Sequence, residues 1–195
     1  MPLSDIPPPG APSWLVPVAA TILAGGFGLW IAAYVLQIRR SLADNATAVP
    51  LLALGLNLAW EAVFALYVAD LPSEKLSYGL WLLVDVPLVY ATVKTAQSTF
   101  RDQPLVARHA GKILALTVVA GTVVFWAFVV WWFERPEKGY VEGSKVGKQW
   151  KGRQRTDQTE LAYWTAMANQ LANSVGSCAM VLQRGHSGGQ SYAIW

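Results

Sequence analysis

The sequence predicts an all-α fold, a polytopic membrane helical bundle of about five transmembrane helices in a single domain over residues 1–195. Three observations carry this expectation. The chain is 54% hydrophobic and only 14% charged, against roughly 25% charged in soluble domains. It carries ten Trp, seven Tyr and six Phe, and its mean hydropathy is +0.33. Its apolar residues gather into five stretches near the ~20 residues a spanning helix needs. So much apolar content excludes intrinsic disorder, and a soluble core of this length could not hide it from water.

The first stretch, residues 14–38, is closed by Arg39 and Arg40. It is too long for a signal-peptide core and has no basic segment before it. The second, 49–69, is entered through Pro50 and stopped at Asp70 and Pro72. The third, 76–95, holds Asp85 and Pro87. The fourth, 113–133, is the cleanest and ends in Trp131-Trp132-Phe133, an expected interfacial aromatic belt. The fifth, 161–182, is the most polar. No alternating pattern of short strands suggests a β-barrel, and residues 2–12, rich in Pro, read as an extended cap.

Arg39, Arg40, Lys94, Arg101, Arg108, Lys112 and Arg184 fall on one side of this topology. The other side has Lys75 and the basic residues of the polar insert 134–159. Without the insert, the positive-inside rule places the first side in the cytosol and the N-terminus outside or in a lumen; with it, the rule gives no answer. By composition the insert reads as a solvated linker, with a patch for anionic lipid or a foreign segment as alternatives.

The net charge of +3 is too slight and dispersed for nucleic acid. The single Cys178 excludes an intrachain disulfide and cysteine-based metal or redox motifs, and it reads as a packing residue. His109 and His186 are expected in loops, with no partner at ligand spacing.

Glu61 and Asp85 lie near the middles of the second and third spans. An Asp at that depth costs at least ~2.5–3.5 kcal/mol on the insertion scale, so neither carboxyl is incidental. Desolvation disfavours the anion, and a carboxylic acid kept neutral can serve as a general acid. Helical spacing sets Asn57 one turn before Glu61, where its amide can orient the acid. Trp60 beside them offers a π-face to a cation. Tyr78, Trp81 and Asp85 align at offsets of three and four, and Trp164 precedes a stripe of Gln170, Asn173, Ser174 and Ser177 on the fifth span. Each acid has a plainer alternative as an interhelical hydrogen-bond partner, and the stripe as packing glue.

The run Asn57-Leu58-Ala59-Trp60-Glu61, followed by Trp81 to Asp85 and Val89 to Lys94, resembles the integral-membrane terpene cyclases of fungal meroterpenoid and indole-diterpene biosynthesis, the pyripyropene and paspaline type. Pro104 to Arg108, Gln170 to Gly176 and Arg184 to Trp195 are similar to the family's loop, fifth helix and following loop. The resemblance implies a metal-independent cyclase, of isomerase or lyase type, without a cofactor. It would protonate the terminal epoxide of a lipophilic prenylated substrate and drive a cation cascade, with membrane lipid around it. Glu61 corresponds to the family's proton donor. Asp85 is a second acid or hydrogen-bond partner, and Asn57, Trp60, Trp81, Trp164 and Gln170 are expected around the substrate. The resemblance also implies the endoplasmic reticulum, and action after a prenyltransferase and an epoxidising monooxygenase. Relatives continue through two further helices, the last bearing an Asp, so this chain is expected to be truncated at its C-terminus. The competing classes are an inactive or non-catalytic membrane protein and a small transporter or packing subunit. Five spans without inverted symmetry speak against a transporter.

Overall fold

A computed structural model describes residues 10–69, 72–133, 149–150, 153–154 and 159–194. Five helices account for nearly all of it: α1 (Leu15–Asp44), α2 (Leu51–Val63), α3 (Pro72–Thr99), α4 (Pro104–Phe133) and α5 (Thr159–Arg184). Each of the five sequence stretches falls on one of them. A two-residue antiparallel ribbon, β1 (Gln149–Trp150) with β2 (Arg153–Gln154), lies between α4 and α5. Residues 134–148, 151–152 and 155–158 of the insert, and residues 2–9 of the Pro-rich cap, lie outside the described residues.

Four helical segments are long and apolar enough to cross a bilayer: α1, residues 51–68, α3 and α4. The fifth helix has 26 residues, ample length at 1.5 Å per residue, but its polar stripe keeps it below that apolar standard. α2 runs directly into a single π-helical turn, Phe64–Val68. The Ala69 N–H donates to the Phe64 carbonyl at 2.8 Å, closing that wider turn.

α2 is the centre of the bundle and packs against α3, α4 and α5, while α1 lies on α3. In lipid, helices associate through close packing rather than through the hydrophobic effect, and small residues allow the approach. The α2–α4 seam follows that rule. A Cβ added to Gly121 would stand 2.9 Å from Ala59 Cβ, and one added to Gly55 would stand 2.7 Å from Thr117 Cβ. Gly55 and Ala59 are four residues apart, as are Thr117 and Gly121, so two turns of each helix interlock.

The basic end of the bundle is tied by hydrogen bonds. Ser41 Oγ accepts from the Ala48 N–H at 3.0 Å, and Thr99 Oγ1 accepts from the Thr47 N–H at 2.8 Å. Ser98 Oγ donates to the Asn45 carbonyl. Arg184, at the end of α5, donates to the Thr47 carbonyl at 3.0 Å and to Thr47 Oγ1 at 2.8 Å. The chain then folds back over the α1–α2 loop, where the Gly189 N–H donates to Asp44 Oδ2 at 2.9 Å and Gln190 Nε2 to the Ala48 carbonyl. Gly189 has φ +82°, and a Cβ there would meet the Thr47 carbonyl oxygen at 2.5 Å, so only glycine fits both the backbone and the space.

At the opposite end, Trp60, Phe64, Val129, Trp132, Phe133 and Leu161 form a buried core. The expected aromatic belt is thereby corrected: Trp132 and Phe133 turn inward and Trp131 alone of the three is exposed. His109 lies within α4 rather than in a loop, because that helix already begins at Pro104. Cys178 is exposed rather than packed.

Candidate active site

Four helices bring polar groups to one point in the bundle's interior. Glu61 is 2% exposed and Asp85 is fully buried. Between them stands Asn57, whose Nδ2 lies 2.8 Å from Glu61 Oε1, 3.0 Å from Asp85 Oδ2 and 2.8 Å from Tyr34 Oη. From α5, Asn169 Nδ2 donates to Asn57 Oδ1 at 3.0 Å. That contact fixes the amide: its oxygen faces a donor, so its NH₂ must face the acids. Only two hydrogens serve three oxygens, which makes Asn57 a shared hub rather than a simple pair.

Glu61 Oε1 and Asp85 Oδ2 thus meet at one and the same nitrogen, which sets the two carboxyls side by side. Two carboxylates set side by side away from water repel each other, so the arrangement suits a pair that holds a proton. Among the described residues neither carboxyl pairs with Lys or Arg, and Glu61 Oε2 and Asp85 Oδ1 have no hydrogen-bond partner. Such an unpartnered oxygen in a dry site is costly, and burial of this kind concentrates where chemistry is done.

Beside this cluster lies a small recess. Tyr34, Asn57, Asn169 and Asn173 give it a polar side, and Leu54 and Leu88 an apolar one. Towards the other end of the bundle runs an aromatic band. Trp60 stacks on Phe64 at 4.3 Å and meets Tyr78 edge-on at 5.6 Å; Tyr78 adjoins Trp81 at 6.0 Å. Trp81 in turn contacts Phe27 at 5.0 Å. The Trp60 indole N–H donates to Thr165 Oγ1 at 2.8 Å, which holds its ring in place from α5.

The structure thus brings Glu61, Asn57 and Asp85 together, with Trp60 and Trp81 in the adjoining aromatic band. It does not bring in Trp164, which is 56% exposed on the outer face of α5 and stacked edge-on with Tyr163. Gln170 is half-buried and lies outside both the hub and the recess lining. The inward face of α5 is instead Leu161, Thr165, Asn169, Asn173 and Ser177, at a spacing of four. Thr165 and Asn169 are the participants that sequence reasoning missed, as is Tyr34 on α1. On α5, stepping by four residues from Thr165 reaches Asn169, Asn173 and Ser177, but only the partner helix singles out that phase over the neighbouring one of Gln170 and Ser174.

The comparisons with known proteins agree with this architecture. The terpene cyclase ascF of Acremonium egyptiacum is 34% identical over 97% of this chain and 66% of its own length. The terpene cyclase esdpB of Penicillium shearii is 32% identical over 93% of this chain and 64% of its own. The Pyr4-family terpene cyclase mfmH of Annulohypoxylon moriforme is 28% identical over 85% and 59%. The chain therefore spans about three-fifths to two-thirds of the length of these curated relatives. No solved structure matches it. The pattern that describes Pyr4-like transmembrane terpene cyclases matches residues 4–195, and the chain belongs to that family.

Proposed function

We propose that the protein is a membrane-bound terpene cyclase in which Glu61 protonates the terminal epoxide of a prenylated meroterpenoid or indole-diterpene precursor. The observation that carries this reading is the pair of buried carboxyls, Glu61 and Asp85, sharing one orienting amide with no cationic partner among the described residues. The oxirane oxygen is a weak base, and relief of ring strain as its C–O bond opens is what draws the proton across.

The proton moves from Glu61 to that oxygen. The C–O bond at the more substituted carbon breaks, and its electron pair stays on oxygen, which becomes a hydroxyl. The tertiary cation left behind is attacked by the neighbouring alkene, and each ring closure passes the charge along the chain. Loss of a proton, or capture by a hydroxyl, ends the cascade. Nothing is added or removed overall, and the initiating electrophile is the proton itself, so the reading needs no metal. Departure of the proton leaves two carboxylates side by side on Asn57, and a proton returned to either one restores the resting pair.

Trp60 and Trp81 offer π-faces worth about 0.5–2 kcal/mol to each cation in a dry site. Exclusion of water prevents early quenching. A greasy substrate reaches the bundle through the bilayer. It must first be prenylated and then epoxidised, so the reading places the protein after a prenyltransferase and a monooxygenase, in the endoplasmic reticulum. The basic end of the bundle, with Arg39, Arg40, Arg101 and Arg108, would face the cytosol.

The test is turnover of an epoxide-terminated farnesyl phenol by microsomes carrying this chain. Cyclised product is expected from the parent, and Glu61→Gln, which keeps shape and an acceptor but has no acidic proton, should lose at least about 10²-fold. Normal product from Glu61→Gln would overturn the role of the acid. No product from the parent chain would favour a non-catalytic membrane protein.

A further inference from the structure

Tyr34 is absent from the mechanism above, yet its position gives its hydroxyl a direction. It is buried on α1, lines the recess, and accepts a hydrogen bond from Asn57 Nδ2 at 2.8 Å. The Trp30 ring, one turn earlier on α1, meets the Tyr34 ring edge-on at 6.1 Å and holds it in place. Its own O–H donates to no acceptor among the described residues. An unspent donor on a cavity wall calls for an oxygen in the cavity.

Resting on the proposed function, we infer that Tyr34 is a substrate-contacting residue whose O–H binds the epoxide oxygen and presents it to Glu61. Tyr34 Oη and Glu61 Oε1 sit on the same Asn57 nitrogen, so the two groups are neighbours. An oxirane oxygen has two lone pairs. One accepts the Tyr34 O–H and the other takes the proton from the acid pair, while Tyr34 itself neither gains nor loses a proton. Holding the reacting oxygen within reach of the acid is a contribution of position and orientation. It also selects substrates: a prenyl chain ending in an alkene leaves this donor unpaired, and a site built to meet an oxygen rejects an analogue without one.

The experiment measures equilibrium binding of two probes to the full chain in lipid nanodiscs. One is a prenylphenol ending in an oxetane, whose ring oxygen accepts hydrogen bonds but opens far more slowly than an oxirane. The other is its alkene counterpart. The parent should bind the oxetane about tenfold more tightly, the ratio that one net hydrogen bond gives. Tyr34→Phe should bring the ratio close to one while leaving alkene binding in place. A ring-fluorinated tyrosine at position 34 keeps the fold's contacts and sharpens the donor, and should widen the ratio. An unchanged ratio in Tyr34→Phe, no preference in the parent, or a ratio that narrows on fluorination would overturn the inference. Failure of the acid's role shows separately, as turnover of the epoxide by Glu61→Gln with the Tyr34 ratios intact.

Discussion

Replacing Asn57 by Leu isolates the polar hub from the packing around it. The two side chains are of similar size, so little cavity is created and the loss is mainly one of hydrogen bonds. Four contacts disappear: those to Tyr34, Glu61 and Asp85, and the one accepted from Asn169. Side-chain hydrogen bonds between membrane helices average about 0.6 kcal/mol, which puts the three that cross to other helices at about 2 kcal/mol. The removal is one-sided, however, and leaves dry carboxyl oxygens and an amide without partners, at about 1–3 kcal/mol for each such group. Relaxation shares these costs, and a total of about 3–5 kcal/mol is expected, within the range for broken buried networks. Reversible unfolding in mixed micelles, followed by Trp fluorescence, measures it. A double-mutant cycle with Asn169→Leu should give a coupling of about 0.6–1.7 kcal/mol. A loss below about 1 kcal/mol for Asn57→Leu, or strict additivity in the cycle, would refute the hub.

Three further outcomes follow from contacts elsewhere. Gly121→Val forces a side chain against Ala59 at the α2–α4 seam, and should cost about 1–3 kcal/mol by overpacking, read in the same unfolding assay. Gly189→Ala sets a Cβ against the Thr47 carbonyl at a left-handed backbone position. It should cost about 1–2 kcal/mol and speed proteolysis after Arg184. Thr165→Val orphans the Trp60 indole N–H and should cost about 1–2 kcal/mol, whereas Trp164→Phe on the outer face should change stability by less than about 0.5 kcal/mol.

The span pattern, the pairing of Asn57 with Glu61 and the depth of Asp85 were legible because helical spacing and apolar length are strong signals. The phase of α5 was not. Thr165, Asn169, Asn173 and Ser177 lie on one face, but Gln170 and Ser174 lie on the next, so polar residues spread over more than one side of the helix. Choosing between the faces needs the partner helix, here Asn57 reaching across from α2. Trp164 misled for a related reason, since an aromatic ring suits lipid and interior equally well. Tyr34 gave no warning, because a tyrosine in an apolar stretch looks like any other ring until its hydroxyl has neighbours. The fold-back of residues 185–190 over the α1–α2 loop depends on carbonyl groups such as those of Thr47 and Ala48, which every residue possesses.

The widened turn at Phe64–Val68 lies directly beyond the acid. A π-turn accommodates one residue more than an α-turn without breaking the helix. Angular position upstream is set by the clasp of Gly55 and Ala59 with α4, whereas downstream it is set by where the chain must turn to enter α3. The extra residue absorbs the mismatch between those two demands. Changes in the length of the connection to α3 can therefore be taken up there, leaving the direction in which Glu61 points untouched.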